Sequence, residues 1–132
     1  MSKVKKILIT GSNGLLGQKL VYNLKQRKDV ELYATAIGEN RLIDNSGYSF
    51  LSLDITDQNN VNKVIENVGP DVIINTAAMT NVDACELNKE ACWKINVDAV
   101  NYLVEASLKF NSQEEFLLRK KNAPPDKTGA HL

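Results

Sequence analysis

The sequence predicts an α/β domain of three layers, a parallel sheet with helices on both faces, truncated after about four strands. Three observations predict it. Short apolar runs alternate along the chain with stretches that are apolar at helical spacing. The runs Ile7-Leu8-Ile9 and Val72-Ile73-Ile74 are apolar without alternation, as strands covered on both faces must be. A glycine-rich turn separates the first run from the first helical stretch. Strands joined through helices need crossover connections, so the sheet is parallel and the crossovers right-handed.

Lys5-Lys6-Ile7-Leu8-Ile9-Thr10 reads as the first, buried strand, and Gly11-Ser12-Asn13-Gly14-Leu15-Leu16-Gly17 as the turn after it. A helix then runs to about Lys28, with Leu16, Leu20 and Leu24 as one apolar stripe. Glu31 to Ile37 forms a second strand ending at Gly38, residues 39–48 a polar loop, and Ser49 to Asp54 a third strand. Thr56 or Asp57 caps the next helix, whose buried face is Val61, Val64, Ile65 and Val68 and which stops at Gly69-Pro70. Asp71 to Asn75 is the fourth strand. After a loop from Thr76 to about Val82, a long helix is expected from about Asn88 to Phe110, with Cys92, Ile95, Ala99, Leu103 and Ala106 inward.

At 132 residues the chain fits one domain, and its 16 basic and 16 acidic residues cancel, which gives no reason to expect nucleic acid or an anionic membrane as a partner. The apolar stretches are far short of a membrane span, and the run after Met1 to Lys6 is too short for a signal-peptide core. The expected location is cytoplasmic. Cys85 and Cys92, in what reads as a helical region, are expected to be two reduced, packed thiols and not a metal pair.

The glycine turn carries the strongest chemical signal. Where a parallel strand gives way to a helix, free N–H groups and the positive end of the helix dipole suit a phosphate. Gly11 permits the tight turn, Gly14 leaves room for a pyrophosphate, and Gly17 brings the helix close. The spacing is G-x-x-G-x-x-G, in the position of the dinucleotide-binding turn of Rossmann-type domains. Such domains usually hold the ribose with an acid at the end of the second strand. Here Ala36-Ile37-Gly38 stands there, with Glu39 and Arg41 just beyond; the arginine favours a 2′-phosphate and NADP(H) over NAD(H), while Glu39 is near enough to reach the ribose instead. Asp54-Ile55 closes the third strand, where the carboxylate can accept from an adenine amino group or help to cap the next helix. Ala77 and Ala78, past the fourth strand, let a cofactor lie against the backbone.

Together, Thr10-Gly11-x-x-Gly14-x-x-Gly17, Asp54-Ile55, Asn75-x-Ala77-Ala78 and Asn96-Val97 resemble the extended short-chain dehydrogenase/reductases. Ala77-Ala78-Met79-Thr80-x-Val82-Asp83-x-x-Glu86 is similar to the dTDP-4-dehydrorhamnose reductase group within them. The resemblance covers residues 4 to about 110. It implies NADPH or NADH binding at Gly11, Asn13, Gly14, Leu15, Leu16 and Gly17, adenine contacts at Asp54 and Ile55, and nicotinamide-side contacts at Ala77, Ala78 and Thr80. The reaction it implies is hydride transfer to the 4-keto group of a nucleotide-activated deoxysugar. For Asn96 it implies a role in holding the site's architecture, beside the equally good reading of a buried structural Asn.

The family uses a Tyr-x-x-x-Lys pair. Four residues after Tyr22, Tyr33, Tyr48 and Tyr102 stand Gln26, Ile37, Ser52 and Ala106, so no catalytic residue is assigned in this chain. Residues 1–111 read as a partial dinucleotide-binding domain. Residues 112–132 read as an atypical polar tail, a helix extension to about Lys121 followed by disorder after Pro124-Pro125. Two functions follow. One is the cofactor half of a nucleotide-sugar reductase, inactive alone, whose substrate binds only a full-length parent. The other is a non-catalytic nucleotide-binding subunit of the methionine adenosyltransferase beta type. An incomplete sheet also predicts self-association through its open edge or the long helix.

Overall fold

The structure is a computed structural model that describes residues 4–77, 88–110 and 113–116. The strands are β1 (Lys5–Thr10), β2 (Val30–Ala36), β3 (Ser49–Ser52), β4 (Val72–Asn75) and β5 (Gln113–Phe116). The helices are α1 (Leu15–Leu24), α2 (Gln58–Val68), α3 (Lys89–Trp93) and α4 (Ala99–Lys109), the last two joined by one π-helical segment at Lys94–Asp98. All strands pair in parallel, in the order β3-β2-β1-β4-β5.

Both faces of the sheet are covered, as the uninterrupted apolar runs require. Leu8 and Ile73 point to one side, into a core with Val61 and Ile65 of α2 and Leu103 of α4. Ile7, Ile9, Val72 and Ile74 point to the other, with Leu32, Ala34 and Val21 of α1. Side chains that alternate across a strand but are apolar on both sides make three layers. Each Leu, Ile or Val side chain fully buried in this way contributes roughly 1.5–3 kcal/mol through its removal from water.

The caps follow local chemistry. The carboxylate of Asp57 accepts from the N–H of Asn60 at 3.2 Å, so Asp57 and not Thr56 caps α2. Gly69 ends that helix at φ 61°, its N–H donating back to Ile65. On α1 the fully buried positions are Gly17 and Val21, while Leu16, Leu20 and Leu24 are only half-buried. The close seat of Gly17 turns the helix so that the leucine stripe falls at the edge of the interface.

Two further differences stand out. Residues 113–116 form a strand beside β4, Val72 opposite Gln113 and Asn75 opposite Phe116, where the sequence suggested a helix extension. The fifth place of the sheet is therefore filled by the tail, and the β4 edge is not open; the unpaired backbone it offered outweighs the weak local preference of Gln-Glu-Glu-Phe. Cys92 is disulfide-bonded, not a reduced thiol. Cys92 is half-buried on the first turn of α3, which starts at Lys89 with Asn88 as its cap, where the sequence placed the helix start. Cys85 and the tail beyond residue 116 lie outside the described residues. No helix among the described residues is long and apolar enough to cross a membrane.

Candidate functional site

The carboxyl ends of the strands meet at a cleft of about 610 Å³, and every strand of the first four feeds it: Gly11 after β1, Ala36 and Ile37 at β2, Leu53 to Thr56 after β3, and Ala77 after β4. It opens where the chain direction across the sheet reverses, β1 leading outward to β2 on one side and pairing with β4 on the other. Open α/β sheets hold their ligands at such a point.

Side-chain hydrogen bonds fix these strand ends. Thr35 Oγ1 donates to the Ile9 carbonyl at 2.8 Å, and Thr76 Oγ1 to the Thr10 carbonyl at 2.6 Å. Thr10 Oγ1 donates to the Oδ1 of Asn75, which also accepts from the N–H of Ala77 at 3.2 Å. All of Thr10, Thr35 and Asn75 are fully buried. Buried hydroxyls and amides must find partners, and here they find one another across β2, β1 and β4. Two buried polar atoms, Ser12 Oγ and Asn75 Nδ2, have no partner among the described residues.

The glycine turn is tight for reasons visible atom by atom. Gly11 has φ 73°, and a Cβ there would lie 2.7 Å from the backbone nitrogen of Ala77. A Cβ on Gly17 would lie 2.3 Å from the Gly11 carbonyl oxygen. Gly17 thus allows the helix to approach the turn itself. Gly14 differs: a Cβ there would meet only the Gly11 carbonyl, at 3.4 Å, so the space above it is open. Helix α1 follows with this residue as its cap, no side-chain cap bond and no acidic residue in its first turn, so the N–H groups of that turn lack intrahelical partners. Leu15 is exposed and Leu16 half-buried on that first turn.

Asn13 and Arg41 both line the cleft. The Asn13 side chain reaches the loop after β2, donating from Nδ2 to the Glu39 carbonyl at 2.9 Å and accepting the Arg41 N–H at 2.8 Å. Asp54 turns one carboxylate oxygen inward, accepting from the N–H of Thr56 at 2.9 Å and its hydroxyl at 2.6 Å. This local turn precedes α2, and Ile55 beside it is buried at the cleft floor. Of the residues singled out from sequence, Gly11, Asn13, Arg41, Asp54, Ile55 and Ala77 share the cleft wall. Ala78 and Thr80 lie outside the described residues.

Ala91 and Lys94 also line the cleft, which sequence reasoning did not find, and so does Ile95, which was expected on the buried face of the helix and is only half-buried. They flank or belong to the π-helical segment, which shifts the helical phase and brings Lys94 and Ile95 to the cleft while Ala99 and Leu103 stay in the core. A pattern read at one fixed helical period cannot show that shift. Asn96 is half-buried there, with Nδ2 3.2 Å from Cys92 Sγ.

The model of one protein family, described as the RmlD substrate binding domain, matches residues 5–113. A dTDP-4-dehydrorhamnose reductase of Aggregatibacter actinomycetemcomitans is 36% identical over 107 residues, which is 81% of this chain and 32% of that protein. The solved structure of a hypothetical dTDP-4-dehydrorhamnose reductase from Sulfolobus tokodaii is 38% identical with a TM-score of 0.70, covering 84% of this chain and 38% of the other. That of dTDP-4-dehydrorhamnose reductase from Bacillus anthracis in complex with NADP is 26% identical, TM-score 0.70, covering 86% and 36%. Matching structures include one in complex with NAD+ as well. The methionine adenosyltransferase 2 subunit beta of Danio rerio is 35% identical over 95 residues, 72% of this chain and 27% of that one. The chain spans about a third of the length of the curated relatives it matches.

Proposed function

This chain belongs to the RmlD substrate binding domain family, and from that premise we propose that it is the dinucleotide-binding part of a short-chain reductase acting on a nucleotide-activated 4-keto-deoxysugar, of the dTDP-4-dehydrorhamnose reductase type. The observation that carries the reading is the cleft at the strand ends, which Gly11 and Asn13 of the glycine turn line, with open space over the neighbouring Gly14 at the start of α1. A pyrophosphate fits there for a physical reason: unpaired N–H groups and the helix dipole favour an anion, and no Cβ stands in the way.

In this reading Gly11, Asn13, Gly14, Leu15, Leu16 and Gly17 hold the pyrophosphate, mainly through the backbone. Asp54 and Ile55 flank the adenine. Ala77, with Ala78 and Thr80, lies along the nicotinamide side. Arg41 is exposed at the cleft and forms no ion pair among the described residues, so its guanidinium is available to a 2′-phosphate, which makes NADP(H) the preferred cofactor. The bound dinucleotide supplies the hydride. This chain's residues bind and orient it, and none of its tyrosines has the lysine partner that would move a proton at the carbonyl oxygen. The sugar substrate belongs to a longer parent, and the cytoplasm is the proposed location. Self-association is also part of the proposal, through the long helix or the remaining sheet edges, and sedimentation across a concentration series tests it; a monomer throughout would overturn it.

Titration of the chain with NADPH and NADH tests the central reading. Saturable binding is expected. Absence of binding up to about millimolar would overturn it. The 35% identity to the beta subunit of methionine adenosyltransferase over 72% of this chain supports a second reading, a binding-only module of that type. Cofactor-dependent capture of a methionine adenosyltransferase catalytic subunit would favour that reading over the first.

A further inference from the structure

We propose that Asn13 is a positioning residue for cofactor selectivity: its side chain clamps the loop after β2 to the glycine turn and so holds Arg41 at the 2′-phosphate end of the cleft. The inference rests on the functional reading above. It goes beyond it by assigning selectivity to a residue whose side chain bonds the protein's own loop and leaves the cofactor to others.

The loop between β2 and β3 has no regular structure and begins at a natural hinge. Gly38 has φ 79° with nothing within 4 Å of a Cβ added to it, so sterics do not fix the direction in which the chain leaves β2. An arginine three residues past such a hinge would have no defined place. The Asn13 carboxamide defines it. Its donor and acceptor match the carbonyl of Glu39 and the N–H of Arg41 at 2.9 and 2.8 Å, the spacing a neighbouring strand would offer. Asn13 is itself held, because Gln18 Nε2 of α1 donates to its carbonyl at 2.7 Å. Beyond Arg41 the chain is pinned again: Leu42 is buried, and its N–H donates to the Asn40 side chain. Arg41 therefore stands between two fixed points, one of them on the turn that would hold the pyrophosphate. One side chain thus sets the distance between the phosphate end and the ribose end of the same ligand.

The far end of the loop has a separate anchor, and this gives the control. Lys25 Nζ pairs with Asp44 at 2.7 Å and donates to the Ser46 carbonyl at 3.0 Å, away from the cleft. If the clamp sets selectivity, loosening the loop at Lys25 leaves it unchanged.

The test compares NADPH and NADH affinity of this chain with those of Asn13→Ala, Arg41→Ala, Asn13→Ala/Arg41→Ala and Lys25→Ala. Asn13→Ala is expected to lower the ratio of NADPH to NADH affinity about tenfold, beyond any loss common to both cofactors, on the scale of a charged hydrogen bond lost from one ligand only. The double variant should be no worse than Arg41→Ala, and Lys25→Ala should keep the wild-type ratio. Far-ultraviolet circular dichroism and a thermal midpoint close to wild type show that Asn13→Ala is folded. An independent readout needs no cofactor: hydrogen exchange at the Arg41 amide should be slowed in the wild type and fast in Asn13→Ala. A wild type that prefers NADPH and an Asn13→Ala variant that keeps the same ratio would overturn the inference and leave the function standing. A chain that binds neither cofactor would overturn the reading beneath it and the inference with it; one that binds both alike, with Arg41→Ala silent, would overturn the NADP(H) preference and the inference and leave dinucleotide binding standing.

Discussion

A Cβ added to Gly17 would sit 2.3 Å from the carbonyl oxygen of Gly11. The oxygen belongs to a backbone held by Thr76 and by its own turn, so it cannot move aside cheaply. Gly17→Ala is expected to destabilise the chain by about 1–3 kcal/mol, the usual range for forcing atoms into a packed site. Gly38→Ala is the comparison, since its only cost is the left-handed backbone, about 1–2 kcal/mol, and no atom lies near the added carbon. Urea unfolding of both variants measures the difference. A Gly17→Ala midpoint no lower than that of wild type would refute the close-approach argument.

Gly14→Val separates binding from folding. The open side of Gly14 accepts a larger side chain at little structural cost, but that side chain fills the space assigned to the pyrophosphate. Far-ultraviolet circular dichroism and thermal midpoint should stay close to wild type while NADPH and NADH binding are both lost. A variant that still binds would place the cofactor elsewhere.

Deleting the core side chain of Leu103, fully buried between α4, α2 and the sheet, should cost about 2–5 kcal/mol in Leu103→Ala. Denaturant unfolding monitors this. A loss below about 1 kcal/mol would mean that α4 is not packed on the sheet as described.

Asp44 gives a pH dependence with a definite sign. The hydrogen bond from Lys25, and then those from Ser46, hold its carboxyl well below the usual carboxylate range. A group whose folded pKa is depressed adds stability above its unfolded pKa, and loses it as pH falls toward the folded value. The stability gap between wild type and Asp44→Asn should therefore be level at neutral pH and shrink below about pH 4, where a free aspartate protonates. Urea midpoints from about pH 2 to 7 would show it. A gap that widens in acid would reverse the assignment.

Much of this architecture was legible because it is local. The run Ile7-Leu8-Ile9, the glycines of the turn, the Val61/Val64/Ile65/Val68 face and the Gly69 stop each express their own geometry. What escaped was set by partners far away in sequence. Nothing in Gln113-Glu114-Glu115-Phe116 announces a strand; β4 supplies the reason by offering an unpaired edge. The leucine stripe of α1 looked like the buried face, but the contact of Gly17 with the turn at Gly11 decides the rotation. Asn13 was read as a cofactor contact, and its double bond to the loop at Glu39 and Arg41 depends on residues 26 and 28 positions away. Lys94 and Ile95 needed the π-helical segment, which no fixed helical period reveals.

Because β1 lies in the middle of the sheet, the first strand synthesised is the one that waits longest for its second neighbour. Its pairing with β2 closes early, over a short stretch of chain. Its pairing with β4 joins Thr10 to Asn75 across 65 residues, and that closure costs about 1 kcal/mol more in chain entropy than the closure onto β2. Until it happens, the apolar edge of Ile7, Leu8 and Ile9 is bare. The nascent chain is therefore most prone to mispair, and most in need of a chaperone, in the interval between the release of β2 and the release of β4.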